Sequence, residues 1–173
     1  MTTDRLSALE TALNNEMRER EFYLRHAART TNPLGRAMFG QLADEELEHH
    51  QRLQELHDKW QQEGKWPATV PLTVAGSNLK QTLNRLVAKV EQLPPGDDDD
   101  VAAVRQAIAF EAEAAAFYQR LRDASTDERE KAFFDLLAKL ENEHLASLKE
   151  TEEFFLDPAR WYQLKEHGGL DGA

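Results

Sequence analysis

The feature that most constrains the fold is a helical stripe of inward positions, two of which carry ionisable side chains. In and just beyond the segment 39–53, FGQLADEELEHHQRL, apolar residues recur at alternating spacings of three and four, typical of one face of an amphipathic helix. The stripe comprises Phe39, Leu42, Glu46, His49, Leu53, Leu56 and Trp60. A carboxylate inside a core is costly unless it is paired, hydrogen-bonded or bound to a metal. We therefore expect matching groups to lie opposite Glu46 and His49.

A second copy of this segment supplies those groups. The segment 134–148, FDLLAKLENEHLASL, repeats the pattern 95 residues later, so Glu141 and His144 correspond to Glu46 and His49. The same offset relates Glu16 to Glu111, Phe22 to Phe117, Tyr23 to Tyr118, and Leu6, Leu9 and Leu13 to Val101, Val104 and Ile108. Each copy thus supplies a lone glutamate and, thirty residues later, a Glu-x-x-His pair.

The repeat predicts an all-α protein in which two pseudo-symmetric helical hairpins pack as a four-helix bundle. Turn signals near Thr31 and Thr126 fall midway between each lone glutamate and its partner pair. Each arm is therefore about 22 Å long and returns the two carboxylates to one height. The stretch between the hairpins is long enough to cross the bundle, which makes the second and third bundle helices parallel.

We predict a single domain over residues 1–173. Its parts are hairpin one at 3–64, a crossover at 65–98, hairpin two at 99–156 and a C-terminal tail at 157–173. The crossover is predicted to carry an additional short helix at 77–93, and the tail a short helix through Trp161 and Tyr162. The third bundle helix is predicted at 101–124, preceded by Asp97 to Asp100 as caps and first-turn acids. A cation-gathering role for these aspartates is the alternative.

Composition excludes several classes of partner and site. The sequence has 32 acidic and 21 basic residues and a net charge of −11, which argues against nucleic acid and mildly favours metal cations. It has no cysteine, which excludes disulfides, thiolate metal sites and iron–sulfur clusters. Apolar runs are too short to span a bilayer, and no basic-then-apolar signal region begins the chain. We expect a cytoplasmic protein without a membrane partner.

Six side chains suited to metal binding converge at mid-bundle in this arrangement. They are Glu16, Glu46, His49, Glu111, Glu141 and His144. Four ionised carboxylates balance two divalent ions, and carboxylates can bridge two metals while each imidazole supplies a terminal nitrogen. Oxygen-rich ligation with two histidines favours two iron or manganese ions per chain, and zinc is also compatible. The alternative is a metal-free network of buried Glu–His hydrogen bonds, in which the carboxylates would repel one another.

Two tyrosines lie on the same inward stripes. Tyr23 and Tyr118 each follow a lone glutamate by seven residues, or two helical turns. Their hydroxyl groups could orient a metal-binding carboxylate across the bundle. Ordinary aromatic packing in the core, with the hydroxyl hydrogen-bonded locally, is the other interpretation.

The paired motifs resemble those of the rubrerythrin branch of the ferritin-like superfamily, especially stand-alone members without a rubredoxin domain. The matching motifs are E-x5-F-Y, at Glu16 to Tyr23 and Glu111 to Tyr118, and E-x-x-H, at Glu46/His49 and Glu141/His144. The resemblance covers roughly residues 5 to 156. It implies a ferritin-like bundle, a di-iron centre that reacts with peroxide or dioxygen, an external electron donor and a homodimer.

The sequence departs from that family in two ways. Peroxidase members usually carry a rubredoxin-type iron site with four cysteine ligands, and this chain has no cysteine. They also carry an extra carboxylate one turn after the second lone glutamate, where this chain has Ala114. Glu19, three residues after Glu16, lies near the same face of the first helix. It could supply the extra carboxylate, or it could be a partly exposed helix glutamate.

Four functions follow from these features. The leading hypothesis is a di-iron, or dimanganese, carboxylate oxidoreductase of rubrerythrin type that reduces peroxide or oxidises Fe²⁺ with peroxide or dioxygen. The second is an iron-binding or ferroxidase protein for iron handling. The third is a dimanganese catalase, which would need no reductant. The fourth is a metal-free interaction module.

Overall fold

A computed structural model describes residues 2–67, 74–89 and 93–168, and these contain six helices and no strand. The helices are α1 (Thr2–Arg29), α2 (Pro33–Glu63), α3 (Leu79–Lys89), α4 (Asp98–Ala124), α5 (Glu128–Leu156) and α6 (Pro158–Gly168). The predicted all-α fold is confirmed. Helices α1 and α2 form the first hairpin, and α4 and α5 form the second.

Local signals set the ends of α2. The side chain of Asn32 accepts hydrogen bonds from the backbone N–H groups of Leu34 and Gly35, and Pro33 occupies the first turn, where its missing N–H is not needed. The helix ends at Gly64, whose φ of 66° lies in the left-handed region. The Gly64 N–H donates to the carbonyl of Trp60, a C-cap that glycine adopts without steric cost.

Helix α4 begins three residues earlier than the sequence predicted. Asp97 accepts from the backbone N–H of Asp100, and the Asp100 side chain accepts from the N–H of Asp97, which forms a capping box. Asp98 and Asp99 join Asp100 in the first turn, where the helix dipole favours negative charge. The four aspartates therefore act as cap and first-turn acids.

Helix α3 begins later than predicted, whereas α6 includes Trp161 and Tyr162 as predicted. Helix α3 spans Leu79–Lys89, whereas the sequence predicted 77–93, and residues 90–92 lie outside the described part of the chain. Helix α6 runs past Tyr162 to Gly168, and the predicted end of the tail beyond it lies outside the described residues. Trp161 is 6% exposed and packs edge-on against Phe154 of α5. The tail helix therefore packs on the bundle.

Hydrogen bonds between α1 and α4 fix the relative direction of the hairpins. Tyr23 in α1 donates to Glu111 at the middle of α4. Tyr118, later in α4 than Glu111, donates to Glu16, which is earlier in α1 than Tyr23. Helices α1 and α4 are therefore antiparallel. Since each hairpin is also antiparallel within itself, α2 and α4 run in the same direction, as the predicted crossover topology requires.

The core consists of two apolar clusters, one towards each end of the bundle. One contains Phe39, Leu148 and Trp161, and the other contains Leu53, Trp60 and Phe134. The lone glutamates and Glu-x-x-His pairs lie in sequence between members of both clusters, so a polar layer interrupts the apolar core. No described helix combines the length and apolar composition needed to cross a membrane. The division into one domain over 1–173 stays a prediction.

Candidate metal centre

The structure brings the six predicted side chains into one buried cluster. Helix α1 contributes Glu16, α2 contributes Glu46 and His49, α4 contributes Glu111, and α5 contributes Glu141 and His144. Every one of these residues is at most 2% exposed. The amphipathic pattern produces this result because each polar residue occupies a position of the inward stripe, so helix packing buries it together with its apolar neighbours.

The ligand-type atoms form two overlapping groups. Within each group, one atom from every residue lies within 4.8 Å of the others. The groups are Glu16, Glu46, His49 and Glu141, and Glu46, Glu111, Glu141 and His144. Glu46 and Glu141 belong to both groups, whereas each lone glutamate and each histidine belongs to one. This arrangement can hold two metal ions, with the carboxylates of Glu46 and Glu141 in bridging positions and one glutamate and one histidine at each end.

The two histidines turn the same ring nitrogen towards the cluster. His49 Nδ1 lies 3.0 Å from Glu46 Oε2 and 3.2 Å from Glu141 Oε1. His144 Nδ1 lies 3.2 Å from both Glu46 Oε1 and Glu141 Oε2. The rings stack with centroids 5.5 Å apart and planes inclined by 14°. Each bridging-position carboxylate therefore has one oxygen beside each imidazole, which is the pseudo-twofold symmetry of the repeat at atomic level.

Tyr23 and Tyr118 each hold a carboxylate of the opposite hairpin. Tyr23 donates to Oε1 of Glu111, and Tyr118 donates to Oε1 of Glu16. The second oxygen of each glutamate faces a histidine, with Glu16 Oε2 at 3.4 Å from His49 Nδ1. Each tyrosine thus fixes the outer oxygen and leaves the inner one available. This geometry favours the orienting role over simple aromatic packing.

Glu19 points into the same polar layer. The residue is 3% exposed, and its Oε2 atom is buried with no hydrogen-bond partner among the described residues. Burial, together with the nearby carboxylates, of which Glu111 has the largest effect, raises the pKa of Glu19 to about 11. Of the two readings of Glu19 that the sequence left open, the structure therefore favours an inward carboxyl over a partly exposed one.

Glu45 is a site residue that the sequence reasoning missed. Its Oε2 lies 2.8 Å from Nε2 of His144, on the ring side opposite the cluster. The other oxygen accepts from Gln41 and from the backbone N–H of Asn78 in the crossover. His144 lowers the pKa of Glu45 to about 2 against the opposing effect of burial. A carboxylate on the far nitrogen of a metal-binding imidazole fixes the tautomer and ring orientation.

The Glu45 contact has no equivalent in the other half of the site among the residues that the structure describes. The repeat places Leu140 where the second hairpin would carry the matching carboxylate. The one sequence signal that could have identified Glu45 is its position directly before Glu46. Only the relative placement of α2 and α5 shows that His144 lies within its reach.

The protonation of the metal-free cluster follows from burial and mutual charge. Burial, then the charge of Glu46, raises the pKa of both Glu16 and Glu111. Burial acts in the same direction on Glu46 and Glu141, but the two histidines outweigh it and lower the pKa of both.

Burial and the neighbouring charges also act in opposite directions on the pKa of the two imidazoles. Burial disfavours the charged form of His49 and His144. The surrounding carboxylates outweigh burial and raise the pKa of both rings well above the usual value. These shifts favour bound protons on the two outer glutamates and on both imidazoles of the metal-free cluster.

The donor set fits a pair of divalent ions. Several inward oxygens are buried without a hydrogen-bond partner among the described residues, namely Glu16 Oε2, Glu46 Oε1 and both oxygens of Glu141. Buried polar atoms are rarely left unpaired in a folded protein, and these converge on the volume between the two histidines. Two divalent ions would satisfy them and balance four ionised carboxylates.

The fold and this cluster define an all-α bundle with a buried carboxylate–histidine site able to hold two metal ions. A model of the rubrerythrin family matches residues 7–152, and the chain belongs to that family. Members of this family are di-iron carboxylate proteins, and many are oxidoreductases. No curated protein and no solved structure gives a significant match to the chain.

Proposed function

We propose that the protein is a di-iron oxidoreductase that reduces peroxide with electrons from an external donor. The observation that carries this proposal is the pair of overlapping ligand groups that share Glu46 and Glu141. Two ions held this close could give one electron each to a single two-electron acceptor. Two Fe²⁺ ions bound there would supply the two electrons that, with two protons, convert one hydrogen peroxide molecule to two water molecules.

The chain's own residues support this chemistry by orientation and proton control. The Tyr23 and Tyr118 hydroxyls hold Glu111 and Glu16, which limits the freedom of both carboxylates. Glu19 holds a proton on a carboxyl whose Oε2 has no partner among the described residues. A carboxyl group in that state can release its proton when positive charge in the site increases, and it then offers a further carboxylate.

The absence of cysteine bears on the source of electrons. Because the sequence contains no cysteine, it holds no thiolate iron site, and we propose that a separate molecule supplies the electrons. The same fact suits a second function, a ferroxidase, in which Fe²⁺ is itself the reductant. A homodimer and a cytoplasmic location remain predictions.

Single-turnover and multiple-turnover measurements separate these functions. Protein loaded anaerobically with two Fe²⁺ per chain is mixed with one equivalent of hydrogen peroxide, and both irons are expected to oxidise in one step. Addition of a reductant should then restore Fe²⁺ and allow many turnovers with two irons retained per chain. Loss of Fe³⁺ from the site would indicate the ferroxidase instead. Evolution of oxygen without a reductant from manganese-loaded protein would indicate a catalase.

A further inference from the structure

A surface cleft lies directly above Glu19, between α1 and α4. Its volume is about 420 Å³, and its lining includes Asn15, Glu19, Ala114 and Phe117. Ala114 stands at the repeat position that corresponds to Glu19, so α4 places only a methyl group opposite the Glu19 side chain. This small side chain leaves room for the cleft where the two hairpins meet.

Glu19 forms the connection between the cleft and the buried cluster. It lines the cleft, yet it is only 3% exposed and follows Glu16 by one helical turn on the inward face of α1. Its Oε2 atom has no hydrogen-bond partner among the described residues. This buried carboxyl therefore belongs both to the lining of the cleft and to the polar layer of the bundle.

The exposed charged residues of the cleft lining, two arginines and one glutamate, carry more positive than negative charge. Arg18 and Arg120 both line it, and each guanidinium lies over an aromatic ring, with Cζ 5.6 Å from the Phe110 centroid and 5.8 Å from the Phe117 centroid respectively. Such cation–π contacts keep the charges at the rim. Glu113 is the one other acidic residue of the lining besides Glu19. This local balance is opposite in sign to the net charge of −11.

We propose that this cleft is the entrance through which small solutes reach the metal site, and that Arg18 and Arg120 favour small anions over divalent cations at that entrance. The proposal rests on the proposed di-iron function and specifies which molecules reach the site. Hydrogen peroxide, being uncharged, passes the arginines without penalty, and small monovalent anions are attracted. Fe²⁺ is repelled, so the cleft serves the oxidant in preference to free iron.

Azide is a suitable probe because it is a small anion whose binding to oxidised iron is seen by absorption, without turnover. Its association rate with the protein containing two Fe³⁺ per chain is measured by stopped flow for wild type and for Arg18→Gln/Arg120→Gln. Each positive charge about 8 Å away in water changes the local concentration of an anion about twofold. We expect azide association to slow about fivefold in the double variant, and Fe²⁺ loading of the metal-free protein to be unchanged or faster.

Two further variants test the route itself. Ala114→Phe should fill the cleft beside Glu19 and slow azide association at least tenfold, with two irons per chain retained. Lys80→Gln/Arg85→Gln, which removes two exposed cations from α3, serves as the charge-matched control for the arginine double variant and should leave the azide rate unchanged. Unchanged azide rates in the arginine double variant would overturn the selectivity, and an unchanged rate in a folded Ala114→Phe protein would overturn the entrance. If Ala114→Phe fails to fold, the arginine double variant still tests whether azide reaches the site past Arg18 and Arg120.

The result of the azide experiments can be distinguished from the result of the peroxide turnover experiments. Iron content is measured first, and azide binding then reports the path to the site whether or not peroxide is turned over. A protein that binds two irons and admits azide through the cleft, but shows no peroxide turnover, would refute the peroxidase and leave the entrance standing.

Discussion

Metal loading should release four protons per chain at neutral pH. In the metal-free cluster, burial raises the pKa of Glu16 and Glu111, and the surrounding carboxylates raise the pKa of His49 and His144 against the effect of burial. We therefore expect each of these four groups to hold one proton at neutral pH, and a metal ion has to displace it because metal ligands bind in their deprotonated form. Glu19 belongs to neither ligand group and is not counted.

The balance of charge within the cluster explains why the protein tolerates both the metal-free and the metal-loaded state. Before loading, two imidazolium groups neutralise the carboxylates of Glu46 and Glu141, and after loading two divalent ions neutralise four carboxylates. By linkage, release of four protons raises the product of the two metal-binding constants about 10⁴-fold for each pH unit. This corresponds to about 5.4 kcal/mol per pH unit, at 1.36 kcal/mol per proton.

Calorimetry tests this count directly. Anaerobic titration of Fe²⁺ or Mn²⁺ into metal-free protein, in two buffers with different ionisation enthalpies, gives the number of protons released at pH 7. The variant Glu113→Gln, which alters an exposed glutamate of α4, is the control and should also release four. Release of one proton or none would show that the histidines and the two outer glutamates are already deprotonated, and the electrostatic description of the site would be wrong.

Four other outcomes are expected. Replacing Glu46 or Glu141 with alanine should leave fewer than two metals per chain in a protein that is still helical by circular dichroism, because each belongs to both ligand groups; two metals in either variant would contradict the bridging assignment. Glu19→Ala should retain both metals but react more slowly with peroxide in stopped flow, and a wild-type rate would remove Glu19 from the reaction. Glu45→Gln should weaken metal affinity by about 10- to 100-fold, since the charge behind His144 is lost, whereas equal affinities would make that contact incidental. Finally, metal at a hundredfold excess over its Kd should stabilise the fold by about 2.7 kcal/mol. Groups with a raised pKa stabilise the metal-free fold below their unfolded pKa and lose that contribution as pH rises through the folded value. The shift in melting temperature on loading should therefore be larger at pH 7.5 than at pH 5, and equal shifts would contradict the argument.

The hairpins and the cluster could be predicted because the sequence patterns that specify them are periodic and local. Glu46 and His49 occupy positions that the apolar neighbours mark as inward, and the repeat supplies their counterparts at a fixed offset. Once hairpin lengths fix the height of each carboxylate, helix geometry alone brings them together. The capping box at Asp97 shows the limit of that approach, since the four aspartates allowed the helix to begin at several positions.

Features that depend on the packing between hairpins could not be predicted. The contact of Glu45 with His144 requires the exact offset of α2 and α5, and no periodic signal carries it. The burial of Glu19 depends on the space left by Ala114, a relation between two helices rather than a property of either. The tyrosine hydroxyls were assigned to the correct stripe, but their two interpretations could be distinguished only from the atoms that they contact.

The reciprocal tyrosine bonds have a consequence for how this site can vary in evolution. Each hairpin offers a phenol donor and a carboxylate acceptor to the other, which is the pattern of an isologous interface between identical subunits. In a true dimer of one hairpin, every substitution would appear twice in the site. Fusion into one chain removes that constraint, so Glu19 can face Ala114, and Glu45 can support one histidine while Leu140 stands in the equivalent place. The covalent crossover thus allows the two halves of the site to carry different side chains at equivalent positions.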